Sequence, residues 1–146
     1  METLKEIMKK VLADTFAMYL KAHNYHWNVE GANFPQYHDF FGNLYQELYA
    51  AVDVAAEQIR ALDSYAPGSF SRFSELSDIE DELSVPTGTE MANRLQEDNE
   101  VVLATLNMAF KLAEEFDKQG LMDFLAGRID AHSKHGWMLR SVAKNV

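Results

Sequence analysis

His38-Asp39-Phe40-Phe41-Gly42-Asn43-Leu44-Tyr45-Gln46-Glu47-Leu48-Tyr49-Ala50-Ala51-Val52-Asp53-Val54-Ala55-Ala56-Glu57-Gln58-Ile59-Arg60-Ala61-Leu62 decides the architecture of this chain. Phe41, Leu44, Tyr45, Leu48, Val52, Ala55, Ile59 and Leu62 recur at steps of three and four, the pattern of one long amphipathic helix. Asp53 and Glu57, four apart, share a face of it. His38 lies on the same helix, but at about 1.5 Å per residue its distance from Asp53 is roughly 22 Å, so the histidine and the acids cannot hold one ion within a single straight helix. Upstream, His26 can approach His38 across the turn marked by Gly31, Asn33 and Pro35. Imidazole nitrogen together with carboxylate oxygen suits iron, manganese or zinc. Antiparallel pairing with a two-fold mate would bring the histidines of one chain to the acids of the other, the axis crossing near Gln46 and Glu47. In the alternative, His38 flanks a helix start and Asp53 with Glu57 forms a solvated acidic edge.

The rest of the chain reads as further helices. A first runs from about Leu4 to Trp27, with Leu4, Met8, Val11, Thr15, Tyr19 and Ala22 along one stripe, and the second covers about Pro35 to Leu62, its proline suited to a first turn. A third opens at Thr87-Gly88-Thr89-Glu90, a capping-box pattern, and continues through Phe116, with Gly120 ending or breaking it. The fourth carries Leu121, Leu125, Ile129, His132, Leu139 and Ala143. Short connections between first and second, and third and fourth, imply an all-α four-helix bundle. The long middle connection, Asp63 to Pro86, has room for a short helix at about Phe70 to Leu76. Its acidic run Asp78-Ile79-Glu80-Asp81-Glu82 lacks the alternating donors and central glycine of a calcium loop and reads as a solvated charged loop.

A chain of 146 residues with 47% hydrophobic content is a single-domain length with ample material for a core. It has no apolar run of membrane-spanning length, and Met-Glu-Thr-Leu-Lys-Glu at the start is unlike a signal peptide, so a soluble cytoplasmic protein is expected. Without cysteine there are no disulfides or thiolate sites. No glutamate lies three residues before any histidine, which removes the paired Glu-x-x-His chemistry of other di-iron bundles. The two His-x-x-His pairs, His23 with His26 and His132 with His135, read as hydrogen-bonding groups of the core or of an interface. Tyr45, Tyr49, Phe40, Phe41 and Trp137 read as packing residues. A net charge of −10 opposes binding to a polyanion, and neither terminus offers a basic arm, so DNA binding is not expected.

His23-Asn24-Tyr25-His26-Trp27-Asn28-Val29, Gly31, Asn33-Phe34, His38, Asp53-Val54-Ala55-Ala56-Glu57-Gln58-Ile59-Arg60 and, near the end, Ala131-His132-Ser133-Lys134-His135-Gly136-Trp137-Met138-Leu139-Arg140 resemble the Dps branch of the ferritin-like family. These are the mini-ferritins called DNA-binding proteins from starved cells. The resemblance spans nearly the whole chain and implies one ferritin-like domain over residues 1–146. It further implies a short helix in the middle connection near a two-fold interface, and a hollow homo-oligomeric shell of twelve bundles.

The implied activity is ferroxidase: Fe(II) is oxidised to Fe(III), preferably by hydrogen peroxide, and ferric mineral is stored inside, protecting against oxidative damage. The implied iron ligands are His26 and His38 from one subunit and Asp53 and Glu57 from another, with Trp27 beside the centre able to take part in electron transfer. Acidic three-fold pores would admit iron, with Asp123 aligning best and Glu114 and Asp117 as further candidates. One departure stands out. Many relatives carry an acid four residues after the second histidine, whereas this chain has Gly42, so one good iron site and one weaker site are expected. A DNA-compacting protein and a metal-independent structural bundle are the competing readings.

Overall fold

Leu4, Met8, Val11, Thr15, Met18, Ala22 and Tyr25 are all buried, at alternating steps of four and three. That spacing keeps one seam of a helix against its neighbours over its whole length. In the computed structural model, which describes residues 1–144, this helix is α1 (Glu2–Asn28). It is followed by α2 (Phe34–Ala61), a short α3 (Phe70–Leu76), α4 (Gly88–Glu115) and α5 (Gln119–Val142), with no strand among the described residues. α1 packs against α2, α4 and α3, and α4 packs against α5, giving a four-helix bundle with α3 on the crossover between α2 and α4. Phe41, Leu44, Leu48, Ala55 and Ile59 of α2 meet Met91, Leu95, Val102, Leu106 and Leu125 from α4 and α5 in one continuous core. None of the helices among the described residues is long and apolar enough to cross a membrane.

Local chemistry explains most boundaries. α1 and α2 are joined by a tight turn in which Gly31 takes φ 119, a backbone that a side chain disfavours, and Pro35 stands in the first turn of α2. Thr87 caps α4 by accepting a hydrogen bond from the Glu90 amide at 3.2 Å. The short helix occupies the expected residues, with Ser69 as its cap. The α4 to α5 boundary differs from expectation. α4 stops at Glu115, and Asp117 adopts φ 53 in a turn closed by the Lys118 amide on the Ala113 carbonyl. Aspartate tolerates this left-handed conformation, so Gly120 is not needed to break the helix and lies in the first turn of α5.

The long connection is not simply a solvated loop. Buried Asp14 accepts from Ser77 Oγ at 2.7 Å and from Thr105 Oγ1 at 2.7 Å, tying the connection to both α1 and α4. Glu82 accepts from the Tyr25 hydroxyl at 2.5 Å and pairs with Arg94, and Lys10 holds Asp78 at 2.7 Å. Two acids of the run are therefore anchors, while Glu80 and Asp81 remain exposed. Burial opposes ionisation of Glu82, but hydrogen bonds from Tyr25, Arg94 and Ser84 outweigh it and hold the carboxyl below its ordinary range.

Candidate metal centre

His26 closes α1 and His38 opens α2, and the turn between them folds one imidazole over the other. The rings stack with centroids 3.8 Å apart. His26 Nδ1 is 2.7 Å from the His38 carbonyl oxygen, and His38 Nδ1 is 2.7 Å from the His26 carbonyl oxygen. A carbonyl can only accept, so each Nδ1 carries a proton, and in the neutral ring the lone pair is on Nε2. Neither Nε2 has a hydrogen-bond partner among the described residues. Metal-binding histidines are commonly fixed in this tautomer by a backbone carbonyl behind them. Both side chains are half-buried, and Phe34 stacks on the other side of His38 at 5.0 Å.

Asp53 and Glu57 lie on the same α2, both exposed. The neighbouring Asp53 carboxyl, through a proton it could share and through its charge, raises the pKa of Glu57 above its ordinary value. They stand about 22 Å along the helix from His38. No three His, Cys, Asp or Glu side chains come together to hold a metal among the described residues of one chain. The histidine pair and the acid pair are two separate halves on each protomer.

Gly42 sits one turn after His38, buried against the His26 ring. A Cβ there would lie 3.0 Å from His26 Nδ1 and 3.1 Å from its Cε1, so any side chain would have to displace the imidazole by a few tenths of an ångström. The glycine is spent on packing the histidine. Trp27 is 58% exposed, with its ring 3.9 Å from that of His23. Asp123, Asp117 and Glu114 are all exposed around the α4 to α5 turn, on other elements than His26 and His38.

The second His-x-x-His pair has a different environment. His132 is fully buried, its Nδ1 2.7 Å from Asn99 Oδ1 and its Nε2 3.1 Å from Arg128 Nη2. Burial, then the charges of Arg128 and His135, lower its pKa to about 3. Glu47 on α2 accepts from Arg128 and from His135 Nε2 at 2.7 Å. Burial opposes the Glu47 charge, but these two partners prevail and hold the carboxyl far below its ordinary range. Sequence reading missed Glu47 because its partners lie 81 and 88 residues away.

This bundle, with a crossover helix and with a histidine pair and an acid pair set apart on α2 and the turn before it, has the build of a ferritin-like protein. The family model described as a ferritin-like domain matches residues 5–146. The chain is 31% identical to DNA protection during starvation protein 2 of Bacillus anthracis over 93% of each chain, and 33% identical to a low temperature-induced protein of Nostoc sp. over 92% of this chain and 76% of that one. It superposes with a TM-score of 0.94 at 25% identity on a Dps protein from Vibrio cholerae O1, described as a member of a broad superfamily of ferritin-like diiron-carboxylate proteins, covering 98% of this chain and 90% of the other. The chain belongs to the ferritin-like family, as a Dps-like mini-ferritin.

Proposed function

We propose that this chain, acting as one Dps-type domain, is a ferroxidase and iron-storage mini-ferritin whose oxidation site is shared by two protomers across a two-fold axis. His26 and His38 of one protomer supply neutral nitrogen from their free Nε2 atoms. Asp53 and Glu57 of the other supply oxygen and negative charge, which favour the ferric product. The observation that carries this reading is the reciprocal pair of Nδ1–H to carbonyl hydrogen bonds, which fixes both rings so that Nε2, with no hydrogen-bond partner among the described residues, is the nitrogen left to bind a metal. A core histidine pair would use both nitrogens internally, as His132 does.

The substrate is Fe(II). When hydrogen peroxide is the oxidant, two ferrous ions each give one electron, the O–O bond breaks, and two protons complete two waters. Where two ions are held together, this avoids hydroxyl radical. The ferric product is stored as mineral inside a hollow dodecamer, and removal of iron and peroxide protects against oxidative damage. Exposed Asp123, with Asp117 and Glu114, would draw cations to the pores, in keeping with a charge of −10. The same charge speaks against DNA as a partner.

Peroxide-dependent Fe(II) oxidation by the purified assembly tests the reading. His38→Ala and Asp53→Ala are each expected to abolish fast oxidation while light scattering finds the assembly intact. Oxidation at the protein-free rate by the native assembly would leave a metal-independent bundle as the better account.

A further inference from the structure

A column of aromatic rings beside the histidine pair contains a hydrogen bond that iron binding does not need. Tyr19, His23 and Trp27 follow one another at steps of one helical turn on α1. The His23 ring lies between two planes, the Trp27 ring at 3.9 Å and the Tyr45 ring of α2 at 3.8 Å, the latter nearly parallel at 6°. The Tyr19 hydroxyl is 3.0 Å from His23 Nδ1, and the Tyr19 ring approaches that of Tyr49 at 5.0 Å. A phenol is the better donor of this pair, so its O–H points to the Nδ1 lone pair. Tyr45 also stands 5.2 Å from the His26 ring, which connects the column to the proposed centre.

We propose that Tyr19 and His23 form a proton-coupled radical sink for Trp27. One electron passes from the Tyr19 phenol to a one-electron-oxidised Trp27 indole, and the phenolic proton moves to His23 Nδ1. The products are a closed-shell indole, a neutral phenoxyl radical and an imidazolium. Oxidising a phenol that keeps its proton creates a strongly acidic cation, and a base already within hydrogen-bond reach removes that barrier. The stacked imidazole therefore serves both as bridge and as proton acceptor.

The sink rests on the iron-oxidising reading for its oxidant. Where Gly42 leaves only one iron well held, a lone ferrous ion gives peroxide a single electron, and the O–O bond breaks to hydroxide and hydroxyl radical. The radical takes one electron from Trp27 and leaves as hydroxide. Tyr19 then restores the indole. A second ferrous ion reduces the phenoxyl, the proton returning from His23, so the peroxide has received two electrons from two irons arriving in turn. A single-iron site with this column needs no second iron bound at the same moment.

Pulse radiolysis tests the transfer without iron. In the assembled protein carrying Trp137→Phe, Trp27 is the only indole left, and azide radicals oxidise it directly. The indolyl signal is expected to decay as a tyrosyl signal grows, with a solvent deuterium isotope effect. Tyr19→Phe, which removes only a hydroxyl, is expected to abolish that growth. His23→Leu should slow it about a hundredfold, the lower range for a positioned base, and erase the isotope effect. Unchanged tyrosyl growth in Tyr19→Phe, or an unchanged rate in His23→Leu, overturns the proposal. Freeze-quenched electron paramagnetic resonance after Fe(II) and peroxide gives a separate reading. A missing tyrosyl signal there, with transfer intact under azide radicals, supports the sink and counts against the iron-oxidising site that was to feed it.

Discussion

Two pairs with the same His-x-x-His spacing end in opposite chemical states. His26 of the first pair spends Nδ1 on the His38 backbone and keeps Nε2 free at a half-buried edge. His132 of the second is fully enclosed, with Asn99 on one nitrogen and Arg128 on the other. His23 and His135 follow their partners: one is stacked between aromatic rings, and the other holds Glu47. Spacing within a helix therefore says only that two imidazoles share a face. Whether they can ligate depends on what the neighbouring helix brings to the second nitrogen. At the turn it brings a carbonyl to each ring, while in the bundle centre α4 brings the Asn99 amide to one nitrogen and Arg128, one turn earlier on α5 itself, closes off the other.

Substitution should separate the two pairs most strongly in stability. His132→Ala leaves a cavity and strips partners from Asn99 and Arg128, an expected loss of about 3 kcal/mol in chemical denaturation of the assembly. Iron oxidation per folded assembly should survive. His26→Ala should do the reverse: oxidation is lost, and stability falls by less than about 1.5 kcal/mol, the scale of one half-exposed hydrogen bond. Equal stability losses for the two variants would mean that His26 is as structural a histidine as His132.

Much of this arrangement is legible in the sequence. The stripes of α1 and α2, the Thr87 cap and the short helix at Phe70–Leu76 follow from local periodicity and capping, which need no knowledge of distant residues. The proximity of His26 and His38 followed from a turn too short to keep them apart. What escaped was tertiary. Glu82 reads as one more acid of a charged run until Tyr25 and Arg94 are placed against it, and Glu47 becomes informative only beside Arg128 and His135. The α4 to α5 turn was misread for a different reason: glycine is the usual residue at a left-handed position, but aspartate can take it, and Asp117 does.

The enclosed histidine should also give itself away in acid. The unfolded chain protonates His132 near its ordinary value of 6.5, whereas the folded protein resists until about 3. Between those values the unfolded state binds the extra proton, so stability falls as pH falls. From pH 7 to 5 this one group is expected to cost about 2 kcal/mol. Asp14 and Asp98, whose carboxyls burial raises, titrate with the opposite sign. The quantity to measure is therefore the difference in pH slope between the native assembly and His132→Ala. An identical slope in both would mean that His132 takes up its proton in the folded state as easily as in the unfolded chain.

The smallest effect is expected at Gly42, where the ligating pair is most tightly packed. Glycine costs a helix interior roughly 1 kcal/mol relative to alanine, so Gly42→Ala gains in propensity. It also drives a methyl group to 3.0 Å from His26 Nδ1, and the ring can answer only by loosening its bond to the His38 carbonyl. The two terms oppose each other, and the net change in stability should stay within about 1 kcal/mol. Gly42→Asp meets the same obstruction but adds an oxygen donor on the face of His38. Iron titration followed by calorimetry should then find a second binding step that the native assembly has only weakly and Gly42→Ala lacks. If Gly42→Asp binds iron no better than Gly42→Ala, the displaced His26 ring has cost the site more than the new carboxylate returned, and the glycine is there to hold a histidine in place.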